Sequence, residues 1–229
     1  MKIVITNDDG IDEPGILALE AACRDFGDVT IVAPSGPRSA ISHQVTEAGE
    51  LAVDERRPGA FAVNGTPADC ARLALRALCP DAEWLISGIN AGANLGMDVY
   101  VSGTVAAVRE ATFQGVPSLA LSQYFRRHGT VDWEGSQRRA GLVLRNVLER
   151  RPGPDAFWSA NLPDPLPGRP ADEIVECALD TSPGAIGYQA TPNGYQWDAN
   201  YHERPRKPGA DIDTCFGGRI ALTRLQLRG

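Results

Sequence analysis

The stretch KIVITNDDGIDEPGILALEAACRDFGDVTIVAP, from Lys2 to Pro34, decides the fold of this chain. Its first five residues are β-branched and almost wholly apolar, which is typical of a strand buried on both faces of a parallel sheet. A helical pattern follows, in which Pro14 suits the first turn and Gly27 suits the stop. A second buried strand runs from Val29 to Pro34. Together they form a βαβ unit, which predicts a right-handed crossover between parallel strands.

The same alternation of strands and helices continues to Leu162. Strand-like runs read FAVNG, EWLISGIN, PSLALS and FWSANLP, and they alternate with helical patterns at 66–80, 102–115 and 133–150. Thr66 and Ser102 suit the N-caps of the first two helices. After about Pro163, Pro and Gly become frequent between the short strand-like pieces EIVECAL, GYQW and RIALTRLQL. We therefore predict an α/β fold with a doubly wound, mostly parallel sheet over 1–162 and a smaller β-rich extension over 163–229.

Composition excludes several classes of protein. The 229 residues carry a net charge of -7 without a block of Lys and Arg, which argues against a nucleic-acid polymer as partner. The sequence has five cysteines, an odd number, and no C-x-x-C motif. Neither a disulfide framework nor a zinc cluster is therefore expected. The sequence has no secretory signal pattern and no apolar run of membrane-spanning length. We therefore expect a cytoplasmic protein that does not associate with membranes.

Polar residues cluster where the predicted strands end, which is where open parallel sheets bind ligands. The clusters are NDDG after the first strand, Ser35–His43 after the second, Ser87–Gly96 after EWLI, and Ser102–Thr104 at the start of a helix. The adjacent carboxylates of Asp8 and Asp9 repel each other, and a divalent cation would compensate them. The neighbouring hydroxyl and amide groups are oxygen donors, which favours magnesium or manganese over zinc.

Each cluster also has a purely structural interpretation, and these alternatives stay open. Asp-Asp-Gly is a common turn sequence, and the evenly spaced Gly and Asn residues of Ser87–Gly96 suit left-handed backbone. Ser102 could serve as a helix cap alone. A cap and an anion site are compatible, however, because they use different amides of the first helical turn.

The motifs TNDDG, VAP…RSA, GTPADC, SGINAGANLG and SGTVAA occur in an order and spacing that resemble the survival protein SurE family of metal-dependent nucleotidases. The match covers most of 1–121. The resemblance implies a Rossmann-like α/β domain with a β-hairpin extension used in oligomerisation. It also implies phosphomonoesterase activity on 5′- and 3′-nucleoside monophosphates, with short polyphosphate as a further substrate of some members. The implied cofactor is one divalent cation per subunit, Mg²⁺ or Mn²⁺.

The resemblance also assigns residues to the site. Its metal ligands fall on Asp8, Asp9, Ser39 and Asn90, and all four residue types are intact. The segments around the phosphate fall on Asn94, Ser102, Gly103 and Thr104, and we count Asn7, which precedes the carboxylate pair, among the substrate-binding residues. Asp8 and Asp9 are the catalytic candidates, acting either as nucleophile or by orienting a water; the sequence does not decide between these roles.

The function expected from the sequence is thus metal-dependent hydrolysis of nucleoside monophosphates. One alternative is a phosphatase of the haloacid-dehalogenase type with an aspartyl nucleophile, although that class usually has D-x-D after the first strand. The other is a nucleotide-binding module without turnover. We further expect a homodimer or homotetramer, with its subunit contact near Gly187–Tyr201, because four aromatic residues occur there. They are Tyr188, Tyr195, Trp197 and Tyr201.

Overall fold

A computed structural model describes residues 1–126, 131–168, 171–184 and 186–227. The strands are β1 (Lys2–Thr6), β2 (Asp28–Pro34), β3 (Val53–Arg57), β4 (Ala60–Val63), β5 (Trp84–Ala91), β6 (Ser118–Gln123), β7 (Ala156–Leu162), β8 (Ile174–Glu176), β9 (Tyr188–Thr191), β10 (Gly194–Trp197) and β11 (Ile220–Gln226). The helices are α1 (Pro14–Cys23), α2 (Pro67–Leu73), α3 (Gly103–Phe113), α4 (Trp133–Val147) and α5 (Asp211–Phe216). Shorter turns are π-helical at Ala74–Leu78 and 3-10 at Gly96–Tyr100 and Tyr201–Glu203.

The predicted α/β fold is confirmed. The described strands form a nine-stranded sheet in the order β3-β4-β2-β1-β5-β6-β7-β11-β8. The six strands from β4 to β7 in that order are mutually parallel, whereas β3 and β11 run antiparallel to their neighbours β4 and β7. The antiparallel strands lie toward the two edges, and β1 lies among the parallel strands near the middle of the sheet.

Both faces of the central sheet are covered by helices. The side chains of Ile3 and Ile5 pack into a core with α1 and α4, whereas Val4 between them packs into a second core with α2 and α3. This alternation explains why β1 is apolar at almost every position, as the sequence predicts for a strand buried on both faces. Thr66 and Ser102 cap α2 and α3 as expected, since each side chain accepts a hydrogen bond from a backbone N–H of the first turn.

The part of the chain after residue 162 continues the sheet. Strand β11 pairs with β7, and β8 pairs with β11. The helix α5, which the sequence did not predict, packs through Ile212, Cys215 and Phe216 against Leu95 and Tyr124. Within the described residues, the hairpin of β9 and β10 pairs only with itself. The division into a domain over 1–162 and an extension over 163–229 stays a prediction.

Two further expectations concern membranes and cysteines. Within the described ranges, none of the helices combines the length and the apolar character that a membrane span requires. All five cysteines are unpaired. Burial raises the pKa of the Cys23 thiol to about 12, so the free thiol is protonated at neutral pH.

Candidate active site

The site lies where the order of strands reverses. Strand β2 pairs with one edge of β1, and the later strand β5 pairs with the opposite edge of β1. A crevice forms at the carboxyl ends of strands at such a point. The register pairs Thr6 with Ser87, so Asn7, Asp8 and Asp9 follow β1 beside the last residues of β5.

Asn7 shapes the turn that presents the two carboxylates. It is fully buried, its Nδ2 donates to the carbonyl oxygen of Gly10 at 2.7 Å, and its Oδ1 accepts from the Gly10 N–H at 3.2 Å. Gly10 has a φ of +128°, which a residue with a side chain rarely adopts. The contacts of Asn7 are therefore those of a positioning residue, and its expected contact with substrate stays a prediction.

Asp8 is buried and held by groups from distant parts of the chain. Only 6% of its surface is exposed, and its Oδ1 accepts a hydrogen bond from the Thr104 hydroxyl of α3. The backbone N–H of Arg38, in the loop after β2, donates to the Asp8 carbonyl oxygen at 2.7 Å. Burial raises the pKa of Asp8 to about 6; the Thr104 hydroxyl opposes this shift, and the charge of Asp9 adds to it. The folded protein thus holds this carboxylate in surroundings that disfavour its charge.

Asp9 is more accessible than Asp8 and points toward β5. Its Oδ2 accepts a hydrogen bond from the Ala91 N–H at 3.1 Å, which connects the end of β5 to the carboxylate turn, the turn formed by Asn7–Gly10. Burial raises its pKa, and the Ala91 amide partly opposes this. In the part of the chain that the structure describes, no Lys, Arg or His side chain forms an ion pair with either carboxylate. Among the described residues, the two adjacent carboxylates thus have no cationic side chain paired with them.

The N-terminus of α3 faces Asp8 directly. A Cβ added at Gly103 would come within 2.9 Å of the Asp8 Cβ and 3.0 Å of its Oδ2, so only glycine allows this approach. The Ser102 hydroxyl accepts from the Val105 N–H at 3.1 Å. The amides of Gly103 and Thr104 therefore stand at the open end of the helix, where the dipole favours an anion. The structure brings these three residues together with Asp8.

Asn90, near the end of β5, and Ser39, in the loop after β2, reach the same edge of the sheet. The Asn90 Nδ2 donates to the Gly92 carbonyl oxygen at 2.7 Å, which leaves its Oδ1 as the atom able to face a cation. Ser39 is exposed. Asn90 precedes Ala91, whose N–H donates to Asp9, and Ser39 follows Arg38, whose N–H donates to the Asp8 carbonyl oxygen. Each of these two neutral residues is thus adjacent in the chain to a residue that binds the carboxylate pair. Their coordination of a metal stays a prediction.

Asn94 is fixed to other strands. Its N–H donates to Asn161 Oδ1 at 2.8 Å, and its Nδ2 donates to the Ser122 hydroxyl at 2.8 Å. These partners lie on β7 and β6. Among the described residues, no hydrogen bond joins Asn94 to the carboxylate turn or to α3. Its expected role around the phosphate therefore stays a prediction.

Sequence reasoning missed several residues that build the site. Arg38 and Ala91 bind the carboxylate turn through backbone N–H groups, and Asn161 and Ser122 hold Asn94. A backbone donor leaves no trace in residue type, so the sequence carried no signal for the first two. Ser122 and Asn161 are polar residues close to the carboxyl ends of mostly apolar strands, and this position is a signal that could have identified them.

Comparisons with known proteins bear on this geometry. Residues 3–182 match the family model described as Survival protein SurE. Over 99% of its length the chain is 40% identical to a protein of Synechocystis, all of which is covered. It is 39% identical to a protein named 5′-nucleotidase SurE from Geobacter sulfurreducens, with 99% of this chain and 88% of that protein covered. The solved structure of a SurE protein from Aquifex aeolicus superposes with a TM-score of 0.86 at 28% identity, covering 99% of this chain and 94% of that one.

Proposed function

This chain belongs to the survival protein SurE family, and on that premise we propose that it hydrolyses nucleoside monophosphates at the edge of the sheet where Asp8 and Asp9 lie. It is accordingly a 5′-nucleotidase, which is a phosphoric monoester hydrolase, of a family that depends on divalent metal ions. The observation that carries the proposal is the uncompensated carboxylate pair beside the open N-terminus of α3. Such a pair can hold a cation, and the helix end beside it can hold a phosphate.

The donors fit one hard divalent cation per subunit, Mg²⁺ or Mn²⁺. We propose Asp8 and Asp9 as its charged ligands, with the Ser39 hydroxyl and the Asn90 amide oxygen as neutral ones. The described residues contain no group of three or more His, Cys, Asp and Glu side chains that could hold a metal, and the two further ligands we propose are neutral oxygens. Oxygen ligands of this kind favour magnesium and manganese. When bound, the cation neutralises phosphate charge and acts as a Lewis acid.

The residues of the chain position the reacting groups. Thr104 fixes Asp8 through its hydroxyl, and the Ala91 amide fixes Asp9. The amides of Gly103 and Thr104 bind phosphoryl oxygens as charge redistributes on them. In the overall reaction the P–O bond to the nucleoside breaks, the phosphate gains an oxygen from water, and the nucleoside oxygen gains a proton. Asp8 or Asp9 serves either as nucleophile or to orient the water.

Phosphate release is the direct test of this function. Purified protein should release phosphate from AMP with added Mn²⁺ or Mg²⁺, lose this activity after dialysis against EDTA, and regain it when the metal is restored. A panel with 3′-AMP and tripolyphosphate defines the further substrates. A folded protein that releases phosphate from none of these would be a binding module. An aspartyl-phosphate trapped during turnover would favour the nucleophile mechanism typical of the haloacid-dehalogenase type.

A cytoplasmic location belongs to the same proposal. The five unpaired cysteines suit a reducing compartment, where nucleoside monophosphates are also found. We propose that the partners are small nucleotides and other copies of this chain, and that they include neither membranes nor nucleic-acid polymers.

We propose that the hairpin of β9 and β10 forms a contact in a homodimer or homotetramer. Tyr188, Tyr195 and Trp197 are 64%, 78% and 56% exposed, although aromatic residues usually bury much of their surface. Tyr201, which the sequence grouped with them, instead packs within its own chain and donates to Asp98 Oδ2 at 3.0 Å. The hairpin aromatics therefore form an exposed apolar surface.

Light scattering should give at least a dimeric mass for the wild-type protein at micromolar concentration. Exchanging both Tyr195 and Trp197 for serine should produce monomers, because it removes aromatic area from the contact. Phe113→Ser is the matched control, since Phe113 is 59% exposed on α3, outside the hairpin. A wild-type monomer, or a dimer that survives the double exchange, would contradict the proposed contact.

A further inference from the structure

The loop between β2 and β3, residues 35–52 and here called the Ser39 loop, contains a strained turn directly after Ser39. Ala40 has a φ of +55° and Ser42 a φ of +54°, although neither residue is glycine. A residue with a Cβ adopts this left-handed backbone at a cost, because the Cβ crowds the following carbonyl oxygen. Strained conformations of this kind persist where surrounding contacts enforce them. The position of Ser39 therefore depends on the contacts that hold the turn.

The Ser39 loop is fixed on both sides of its strained turn. Before the turn, the Arg38 N–H donates to the Asp8 carbonyl oxygen at 2.7 Å. After the turn, the His43 side chain reaches α3, where its Nε2 lies 3.0 Å from Glu110 Oε2. Ser39 therefore lies between a backbone contact with the carboxylate turn and a side chain docked on α3, the helix whose N-terminus faces Asp8.

Glu110 is a buried carboxylate with donors from three directions. Its Oε1 lies 3.0 Å from Arg72 Nε and accepts from Gln114 Nε2 at 3.1 Å. Burial alone raises the pKa of Glu110, but the hydrogen bonds it accepts, that of His43 first among them, lower this pKa to about 2. Glu110 is therefore ionised at neutral pH and can only accept, so His43 Nε2 is the donor in their hydrogen bond.

Ser42, the last residue of the strained turn, adds two weaker restraints. Its N–H donates to the Val101 carbonyl oxygen at 3.1 Å, and its hydroxyl donates to the Tyr100 carbonyl oxygen at 2.8 Å. These bonds are between neutral groups, whereas the bond of His43 ends on a buried charge, and hydrogen bonds to charged groups contribute more to stability. The contact between His43 and Glu110 is thus the main restraint after the turn.

We propose that His43 and Glu110 are positioning residues, which hold the strained turn of the Ser39 loop in the shape that places the Ser39 hydroxyl at the cation. The inference rests on the proposed function, because it takes Ser39 as a metal ligand. In this role neither residue coordinates the cation, and both act through the backbone between Ser39 and His43. Replacing a residue that orients a metal ligand typically costs about 10- to 100-fold in metal affinity or activity.

Loss of the contact should weaken cation binding more than it weakens catalysis. Without the hydrogen bond to Glu110, the turn can relax to ordinary backbone, and only a fraction of the molecules then present Ser39 correctly. The apparent Kd for the cation rises in inverse proportion to that fraction. Excess cation selects the correct shape, so turnover at saturating cation is preserved. The bonds of Ser42 remain, which limits the loss of affinity.

His43→Phe tests this role. Phenylalanine keeps a ring against Phe113, whose centroid lies 5.6 Å from that of His43, but it has no donor for Glu110. The Kd for Mn²⁺, measured by titration calorimetry on EDTA-treated protein, should rise about tenfold. The kcat for AMP at saturating Mn²⁺ should stay within about twofold of wild type. His43→Gln, whose amide can donate to Glu110, should recover most of the affinity.

Ala40→Gly tests the strain itself. Glycine adopts a positive φ without the steric cost, so in the His43→Phe background it should restore about threefold of the lost Mn²⁺ affinity. In otherwise wild-type protein the same substitution should leave the Kd for Mn²⁺ unchanged, because the turn is already held in shape. A substitution that acted only through the stability of the fold would not depend on the background in this way.

Arg72→Gln is the matched control. Arg72 contacts the same carboxylate, but it reaches Glu110 from α2 and not from the Ser39 loop. Its replacement should lower the melting temperature at most and leave the Kd for Mn²⁺ unchanged. If His43→Phe fails to fold, Ala40→Val takes its place, because a β-branched residue strains the exposed turn without altering the buried contact. It should also weaken Mn²⁺ binding.

The inference is overturned if His43→Phe, or Ala40→Val in its place, binds Mn²⁺ as tightly as wild type. It is also overturned by a loss of affinity that Ala40→Gly does not reduce, or by an equal loss in Arg72→Gln. Each of these results leaves the nucleotidase function standing, because the wild-type protein still binds Mn²⁺ and releases phosphate from AMP. Wild-type protein that does neither would instead refute the proposed function itself.

Discussion

Replacing Asp8 with asparagine should abolish phosphate release and, at the same time, raise the melting temperature of the EDTA-treated protein at pH 7. The loss should be about a thousandfold or more, because the variant lacks a charged ligand for an ion whose effect on the transition state is worth several kcal/mol. Thr104 can still donate to the asparagine Oδ1, so the turn should keep its shape.

The gain in stability follows from the pKa of Asp8. Burial raises this pKa from 3.8 to about 6 in the folded protein. Between these values only the folded chain keeps the proton, so the free energy of unfolding decreases as pH rises through this window. Above pH 6 both states are ionised and the folded state bears the full penalty, about 3 kcal/mol. Asparagine carries no charge and removes this penalty.

The measurements are melting curves from pH 4 to 8 and phosphate release. EDTA-treated wild type should lose stability with rising pH, whereas the variant should lose less and melt about 6–12 °C higher at pH 7. Added Mn²⁺ should stabilise wild type and leave the variant unchanged, because only wild type binds it. Asp12→Asn removes an exposed carboxylate from the same loop and should change neither property. An active Asp8→Asn protein, or one destabilised at pH 7, would contradict this account.

Gly103→Ala should reduce turnover about a hundredfold and also lower the melting temperature, because overpacking a close contact typically costs about 1–3 kcal/mol. The new Cβ would lie 2.9 Å from the Asp8 Cβ and 3.2 Å from the Pro67 Cγ. Rotation of the Asp8 side chain cannot move its Cβ, so the backbone that carries Asp8 must shift. A displacement near 1 Å at a catalytic group costs about two orders of magnitude in rate. The backbone tolerates alanine, because Gly103 has no positive φ.

Gly141→Ala is the matched control. It is the same substitution in α4, where the added Cβ meets nothing within 4 Å. It should leave activity unchanged and stabilise the protein by up to about 1 kcal/mol, the difference in helix propensity. Manganese affinity should fall in the Gly103 variant and stay constant in the control. Full activity of Gly103→Ala would show that the position of Asp8 beside α3 is unimportant for catalysis.

Local signals in the sequence predicted most of the secondary structure. Helix α2 begins at a capping box of Thr66 and Asp69, and Ser102 is the N-cap of α3. The residue types at these positions therefore predicted where both helices begin. Helix α5 was missed because its N-cap, Ala210, makes no side-chain hydrogen bond, and its six residues are too few to show a periodic pattern. Its position depends on packing against Leu95 and Tyr124, which are remote in the chain.

The sequence by itself determined that this is an α/β protein with polar groups at the carboxyl ends of its strands, because burial on both sheet faces leaves a continuous apolar run that stops where the ligand site begins. Only the tertiary structure decided what surrounds the carboxylates. Thr104 meets Asp8 across 96 residues and Ala91 meets Asp9 across 82. Such contacts depend on strand order and register, and one of the groups involved, the Ala91 N–H, is a backbone amide that every residue type except proline supplies.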